Sequence, residues 1–185
     1  MIRAKYKCQT RLAYINLLNY ISLIKNMKVQ IMTDTRYGNG KLLAEALKKE
    51  FSGEIEVSIA DVKEVSPERI AEDVPNVIIL GGAIRMFRGG PKSKRWLKKL
   101  NKILEKSGNK LQYGTGFLTH AMPTDKVQGY AQRYLNKLGE ASMVENTYSE
   151  LLTARVKASK GPIFPEEMEK AGVYIKGFID WIKPE

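Results

Sequence analysis

Apolar positions along the chain switch repeatedly between two periods. Residues 27–32 (MKVQIM) form a short apolar run that reads as a strand. Leu43, Ala44, Leu47 and Phe51 then recur at helical spacing and predict a helix over 39–51. Residues 54–60 (EIEVSIA) alternate at period two, as a half-buried strand does. Ser66-Pro67 marks a helix start, with proline tolerated in the first turn. Residues 76–80 (NVIIL) are continuously apolar and branched, which suits a central strand buried on both faces. Gly81-Gly82 reads as the end of that strand. Pro91 opens a helix to about Lys106, with Trp96, Leu97, Leu100, Ile103 and Leu104 as its apolar stripe. A fourth strand is expected within 111–118, a helix over 125–138 and a fifth strand over 142–147. Residues 166–183 close the chain as an amphipathic helix with Met168, Ala171, Ile175, Phe178, Ile179 and Ile182 on one face.

Strand and helix alternate throughout, which predicts an α/β domain over 27–185 whose parallel sheet is covered by helices on both sides. Five strands fit a doubly wound, three-layer sandwich of strand order 2-1-3-4-5. Ligands of such sheets bind beyond the carboxyl ends of the strands at the switch point. That directs attention to the loops after Met32, Leu80 and Leu118.

Composition narrows the chemistry. A chain of 185 residues buries roughly 70% of its unfolded surface and needs no metal or disulfide staple. One cysteine, Cys8, excludes an intramolecular disulfide framework and a cysteine-ligated cluster, and one histidine, His120, excludes two-histidine metal sites. No metal site is expected, and hard chemistry in such a chain calls for a borrowed cofactor. No run of 18 apolar residues is present, so no membrane-spanning helix is expected.

Charge is uneven within the net +11. Residues 85–110 carry ten basic side chains and one acidic, while 111–185 balance. Residues 1–26 carry five basic side chains and no acid. Their apolar stretch, Leu12 to Ile24, is broken by Asn16, Asn19 and Ser22 and lacks a cleavage site, so it does not read as a signal peptide. It reads as an incidental extension or as sequence ahead of a true start at Met27, which directly opens the first strand, with a membrane-surface amphipathic helix as the alternative.

The loop after the first strand runs Thr33-Asp34-Thr35-Arg36-Tyr37-Gly38-Asn39-Gly40-Lys41 straight into a helix. Hydroxyls, glycines and free N–H groups at a helix N-terminus make an anion site. Thr35 and Leu42 break the Walker A pattern, and Leu43 breaks the dinucleotide fingerprint. DTRYGNG followed by KLLAEAL resembles the phosphate loop and first helix of flavodoxins. The resemblance implies a flavodoxin-like fold and noncovalent binding of flavin mononucleotide (FMN). Thr33, Thr35, Arg36, Tyr37, Gly38, Asn39 and Gly40 would then hold the phosphate. Gly40 departs from the usual threonine, and backbone N–H is expected to replace that hydroxyl.

The resemblance assigns the next two loops to the flavin ring. Gly82, Ala83, Ile84, Arg85, Met86 and Phe87 follow the third strand; glycine admits the ring's polar edge, and Met86 or Phe87 would cover a face. GGAIRMFRGGP is also similar to the G-A-S-I-R-Y-G stretch of flavodoxin-like, quinone-dependent protoporphyrinogen oxidases. Arg85 there would meet a reduced flavin or a substrate carboxylate. Thr119 and His120 are the candidates of the third loop. Lys157–Ile163 (KASKGPI) resembles a segment of some flavodoxin-domain proteins and reads as a lead-in to the last helix.

Lys92, Lys94, Arg95, Lys98, Lys99, Lys102 and Lys106 crowd one helix and its entry. They suit an acidic redox partner docking near 85–110. No nucleic-acid-binding signature accompanies them, and no nucleic-acid partner is expected. The expected function is electron transfer through FMN in the cytoplasm. The alternatives are an FMN-dependent oxidoreductase on a quinone or porphyrinogen, and a flavin-free interaction module using the basic helix.

Overall fold

A computed structural model describes residues 27–183, apart from Ser52 and Glu54. The extension 1–26, including Cys8, lies outside the described residues. Elements follow in the order β1 (Lys28–Thr33), α1 (Asn39–Lys49), β2 (Glu56–Asp61), α2 (Pro67–Glu72), β3 (Val77–Arg85) and β4 (Arg88–Gly89). Next come α3 (Pro91–Ser107), β5 (Leu111–His120), a 3-10 turn (Thr124–Lys126), α4 (Gln128–Gly139), β6 (Val144–Thr147), β7 (Leu152–Arg155) and α5 (Pro165–Ile182).

The sheet runs β2-β1-β3-β5-β6, with β7 also paired to β5. Every pairing among these strands is parallel. β3 shows why the apolar run at its start belongs in the centre. Val77 and Ile79 join one core with Leu43, Leu47, Ile175 and Phe178 of α1 and α5. Ile78 and Leu80 join the other with Trp96, Leu100, Tyr134 and Leu138 of α3 and α4. Period-two alternation thus places adjacent residues in two separate cores, and both faces of the strand are dry.

The helices start where local chemistry allows. Ser66 accepts from the Arg69 N–H and Pro67 occupies the first turn of α2. Pro91 and Pro165 open α3 and α5. Gly108, at φ 72°, ends α3 in the left-handed conformation that glycine adopts without steric cost.

Three differences from the sequence reading matter for the site. β3 does not stop at Leu80: it continues through Gly81-Gly82 to Arg85 and turns back into β4. These glycines are packing glycines. A Cβ on Gly81 would lie 2.7 and 2.8 Å from two ring carbons of Phe117, and one on Gly82 would lie 2.9 Å from the Gly90 Cα. The expected helix over 125–138 begins as a 3-10 turn, and α4 proper starts at Gln128.

The expected fifth strand is split. β6 pairs with the first half of β5, and a further strand, β7, pairs with its second half. The break is patched by the Tyr174 hydroxyl, which bonds the carbonyls of Gly116 (3.1 Å) and Glu150 (3.3 Å) and the Thr115 hydroxyl. Burial pushes the Tyr174 phenol well above its ordinary pKa, so it stays protonated there. Among the described residues no helix is long and apolar enough to cross a membrane.

Gly81→Ala should overpack the centre of the sheet and cost about 2–3 kcal/mol in denaturant unfolding. Adding Phe117→Leu, which empties that space, should give a favourable coupling above about 1 kcal/mol in a double-mutant cycle. Additive effects would show that Phe117 does not occupy the Gly81 site.

Candidate functional site

The first loop leaves β1 and folds over its own threonine. Thr35 Oγ1 accepts from the N–H groups of Gly38 (3.0 Å) and Gly40 (3.3 Å). Gly38, at φ 86°, takes the left-handed conformation that turns the chain into α1. Asp61, at the end of β2, anchors the loop from outside by accepting from the Thr35 N–H (3.2 Å), and Lys63 Nζ donates to the Thr35 carbonyl (2.6 Å). The Gly40 N–H is therefore engaged by Thr35. Arg36 and Tyr37 keep N–H groups without a partner among the described residues. The Arg36 guanidinium lies 5.2 Å from the centroid of the Tyr37 ring, within cation–π range.

The second wall is the end of β3. Arg85 is not a solvated loop charge. Its Nη1 lies 3.2 Å from Oδ1 of Asp34 and its Nη2 donates to the Asp34 carbonyl at 2.6 Å. The Asp34 side chain is fully buried and that of Arg85 is 30% exposed. The guanidinium therefore ties the first loop to the third strand. Beyond it, Met86 and Phe87 form a two-residue hairpin between the paired Arg85 and Arg88, with φ of 48° and 59°.

The third wall comes from the end of β5, and the fourth from the loop after β7, which contributes Ser159. His120 is buried, its Nδ1 lies 3.0 Å from the Met122 carbonyl, and its Nε2 has no partner. Desolvation holds the imidazole below its ordinary pKa, so it is neutral at pH 7. A neutral ring that donates from Nδ1 leaves Nε2 as a free acceptor. His120 pairs in register with Arg155, whose buried Nε–H is also unpartnered, as is Oδ2 of Asp34. Three orphaned polar atoms thus collect at one end of the sheet.

The loop from 157 to 163, read from sequence as a structural lead-in, closes over the first. The Asn39 amide donates to the Ser159 carbonyl (3.3 Å), and Gly161, at φ 94°, packs where a Cβ would lie 2.5 Å from Asn39 Oδ1.

These walls enclose a cleft of about 280 Å³ lined by Thr35, Arg36, Tyr37, Asn39, Ala83, Ile84, Arg85, Met86, Thr119, His120, Ala121 and Ser159. All three sequence-derived loops therefore meet. Thr33, Gly38, Gly40, Gly82 and Phe87 do not line it: Thr33 and Gly82 are buried in their strands, Gly38 and Gly40 face Thr35, and Phe87 projects into solvent. Ala121 and Ser159 were not legible as site residues, because neither carries a functional group that distinguishes it in sequence. No carboxylate lines the cleft.

A larger groove of about 760 Å³ runs between α3 and α4, lined by six cations from Arg88 to Lys137 and by Glu105 and Glu140, around a floor that includes Leu97 and Ala141. Desolvation, with Arg133 and Lys137 nearby, pushes the Lys94 ammonium below its ordinary pKa. This groove adjoins the hairpin through Arg88.

No protein-family model matches the chain, and no curated protein matches it. Solved structures do. A WrbA-like flavodoxin from Agrobacterium tumefaciens superposes with a TM-score of 0.64 at 15% identity, over 84% of this chain and 97% of that one. Flavodoxin 2 from Bacillus cereus gives 0.62 at 17%, over 84% and 99%. Rubredoxin:oxygen oxidoreductase from Desulfovibrio gigas gives 0.62 at 12% over 80% of this chain, which spans 34% of that larger protein. At such identities the likeness is one of architecture. Strand order, crossover helices and these matches together establish that the chain has the flavodoxin-like fold.

Proposed function

We propose that the chain binds FMN noncovalently in the cleft and passes electrons through it to or from a redox partner. The convergence of three loops at the switch point, around unpartnered N–H groups at the start of α1, carries this reading. The donor set fits a phosphate: the Arg36 and Tyr37 N–H groups, the Thr35 hydroxyl proton, the helix dipole and the Arg36 cation, with no carboxylate opposing them. Ala83 and Ile84 offer backbone and apolar surface to a ring. His120 Nε2 accepts, so it suits a donor N–H of the ligand. FMN, when bound, would supply the one- or two-electron chemistry.

Arg85 serves by position. Two of its donors are spent on Asp34, and the remaining N–H groups keep a fixed positive charge at the cleft wall. An acidic partner suits the cations of α3, whose attraction speeds encounter without fixing a tight complex. The exposed Met86-Phe87 tip at the mouth favours a second reading, an FMN-dependent oxidoreductase on a quinone or porphyrinogen, because it offers a bulky organic substrate an apolar approach.

Purified protein desalted after mixing with FMN should keep the flavin absorption bands. A colourless protein would overturn the reading. Thr35→Ala should weaken FMN binding about tenfold, because the loop loses the acceptor that orders two of its N–H groups. Arg85→Ala should destabilise the fold by about 3 kcal/mol by stranding the buried Asp34, and Asp34→Asn in that background should recover about 1 kcal/mol or more. Equal stability of Arg85→Ala and wild type would show that the pair is dispensable.

His120 gives a pH dependence with a definite sign. Its folded pKa is lowered, so the unfolded chain takes the proton first on acidification. Its contribution is full above about pH 6.5 and declines as pH falls toward the lower folded value. Wild type should lose thermal stability more steeply than His120→Gln between about pH 7 and 5. Parallel curves would show that the imidazole titrates alike in both states.

A further inference from the structure

The tip of the β3–β4 hairpin is built against its own conformational preference. Two-residue hairpins with both central φ angles positive are normally made from Asn-Gly or Asp-Gly, because other side chains crowd the backbone there. Here both positions hold large apolar residues, Met86 and Phe87. Neither is repaid by packing: Met86 is 91% exposed and Phe87 80%. The base of the hairpin is firmly held by contrast. The Gly90 N–H donates to the Ala83 carbonyl (3.1 Å), and Gly89 and Gly90 pack against Tyr130 and Tyr134 of α4. A rigid stem thus presents two strained, apolar, solvent-facing side chains. The fold gains nothing from them, so the gain lies outside the chain.

The surroundings indicate the contact. No acidic residue occurs between Asp73 and Glu105. Arg88 is exposed beside the tip, Arg36 is exposed across the cleft that Met86 lines, and Lys92 is exposed at the start of α3. None of the three forms an ion pair among the described residues. An apolar point flanked by cations without ion-pair partners matches a surface whose anionic phosphates lie directly above hydrocarbon.

We propose that this hairpin docks the protein on an anionic lipid bilayer, with Met86 and Phe87 entering the headgroup–acyl boundary and Arg36, Arg88 and Lys92 contacting lipid phosphates. Docking of this kind is reversible and places the mouth of the cleft at the membrane surface. It does not depend on the cleft holding FMN.

The test is co-sedimentation of the full chain with phosphatidylcholine vesicles, with and without phosphatidylserine, beside the variant Met86→Asn/Phe87→Gly. That variant installs the residues the turn prefers and deletes the apolar tip. Wild type should bind the phosphatidylserine vesicles about tenfold or more tightly than the neutral ones, and the variant should lose about tenfold of that affinity. The variant's thermal midpoint should rise, because the backbone strain is relieved. Wild type that ignores both vesicles would overturn the proposal and favour a protein pocket as the tip's partner. A variant that binds as wild type does would overturn it by placing the contact in residues 1–26 or the basic helix. A variant with a lowered midpoint would show that the tip serves the fold, and the proposal would fail.

Discussion

One buried carboxylate organises the cleft end of this molecule. Asp34 leaves β1 with its side chain out of water, and a carboxylate there is costly unless a cation meets it. Arg85 meets it from β3, fifty-one residues further on. To reach Asp34, β3 has to run on past its apolar half, and the hairpin that follows is the consequence. The same contact fixes the first loop against the third strand. Pairing with β5 carries β3 as far as Ala83, and the Arg85 contact then sets two walls of the cleft against each other.

The strand–helix alternation and the helix faces were legible in the apolar periods, because each buried position follows from a face of a helix or strand, while the strand order came from the doubly wound arrangement that such alternation fits. The errors arose where one residue type serves two ends. Gly81-Gly82 carries the signal of a turn, yet both residues stay within β3, and their missing side chains make room for Phe117 and for the entry to α3. Only the partner strand distinguishes those two uses of glycine. The split fifth strand was hidden for a similar reason. Residues 152–155 (LTAR) are too short to show a period, and what makes them a strand is β5 beside them and Tyr174 filling the gap.

The candidate site was legible as loops and much less so as contacts. Thr35 and Asn39 could be picked out because the DTRYGNG stretch resembles a phosphate loop, and His120 because the chain's one histidine follows a strand. That Thr35 would turn inward to its own backbone, and Arg85 toward Asp34, depends on distances that spacing does not carry. The basic cluster of 88–106 shows the opposite case. Its charge was plain from composition, and packing added its shape: a groove between two helices that begins beside the hairpin.

The contact between Asn39 and the 157–163 loop has a consequence for synthesis. The Asn39 amide meets the Ser159 carbonyl across 120 residues of chain, and Gly161 is pressed against the same side chain. During translation at roughly 5–20 residues per second, the last wall of the cleft emerges many seconds after the first. Until then the amide-rich turn at the head of α1 stands uncovered on the ribosome. The cleft is completed only when α5 docks beside α1 and the 157–163 loop closes over Asn39, so its last wall belongs to the final step of the chain's assembly.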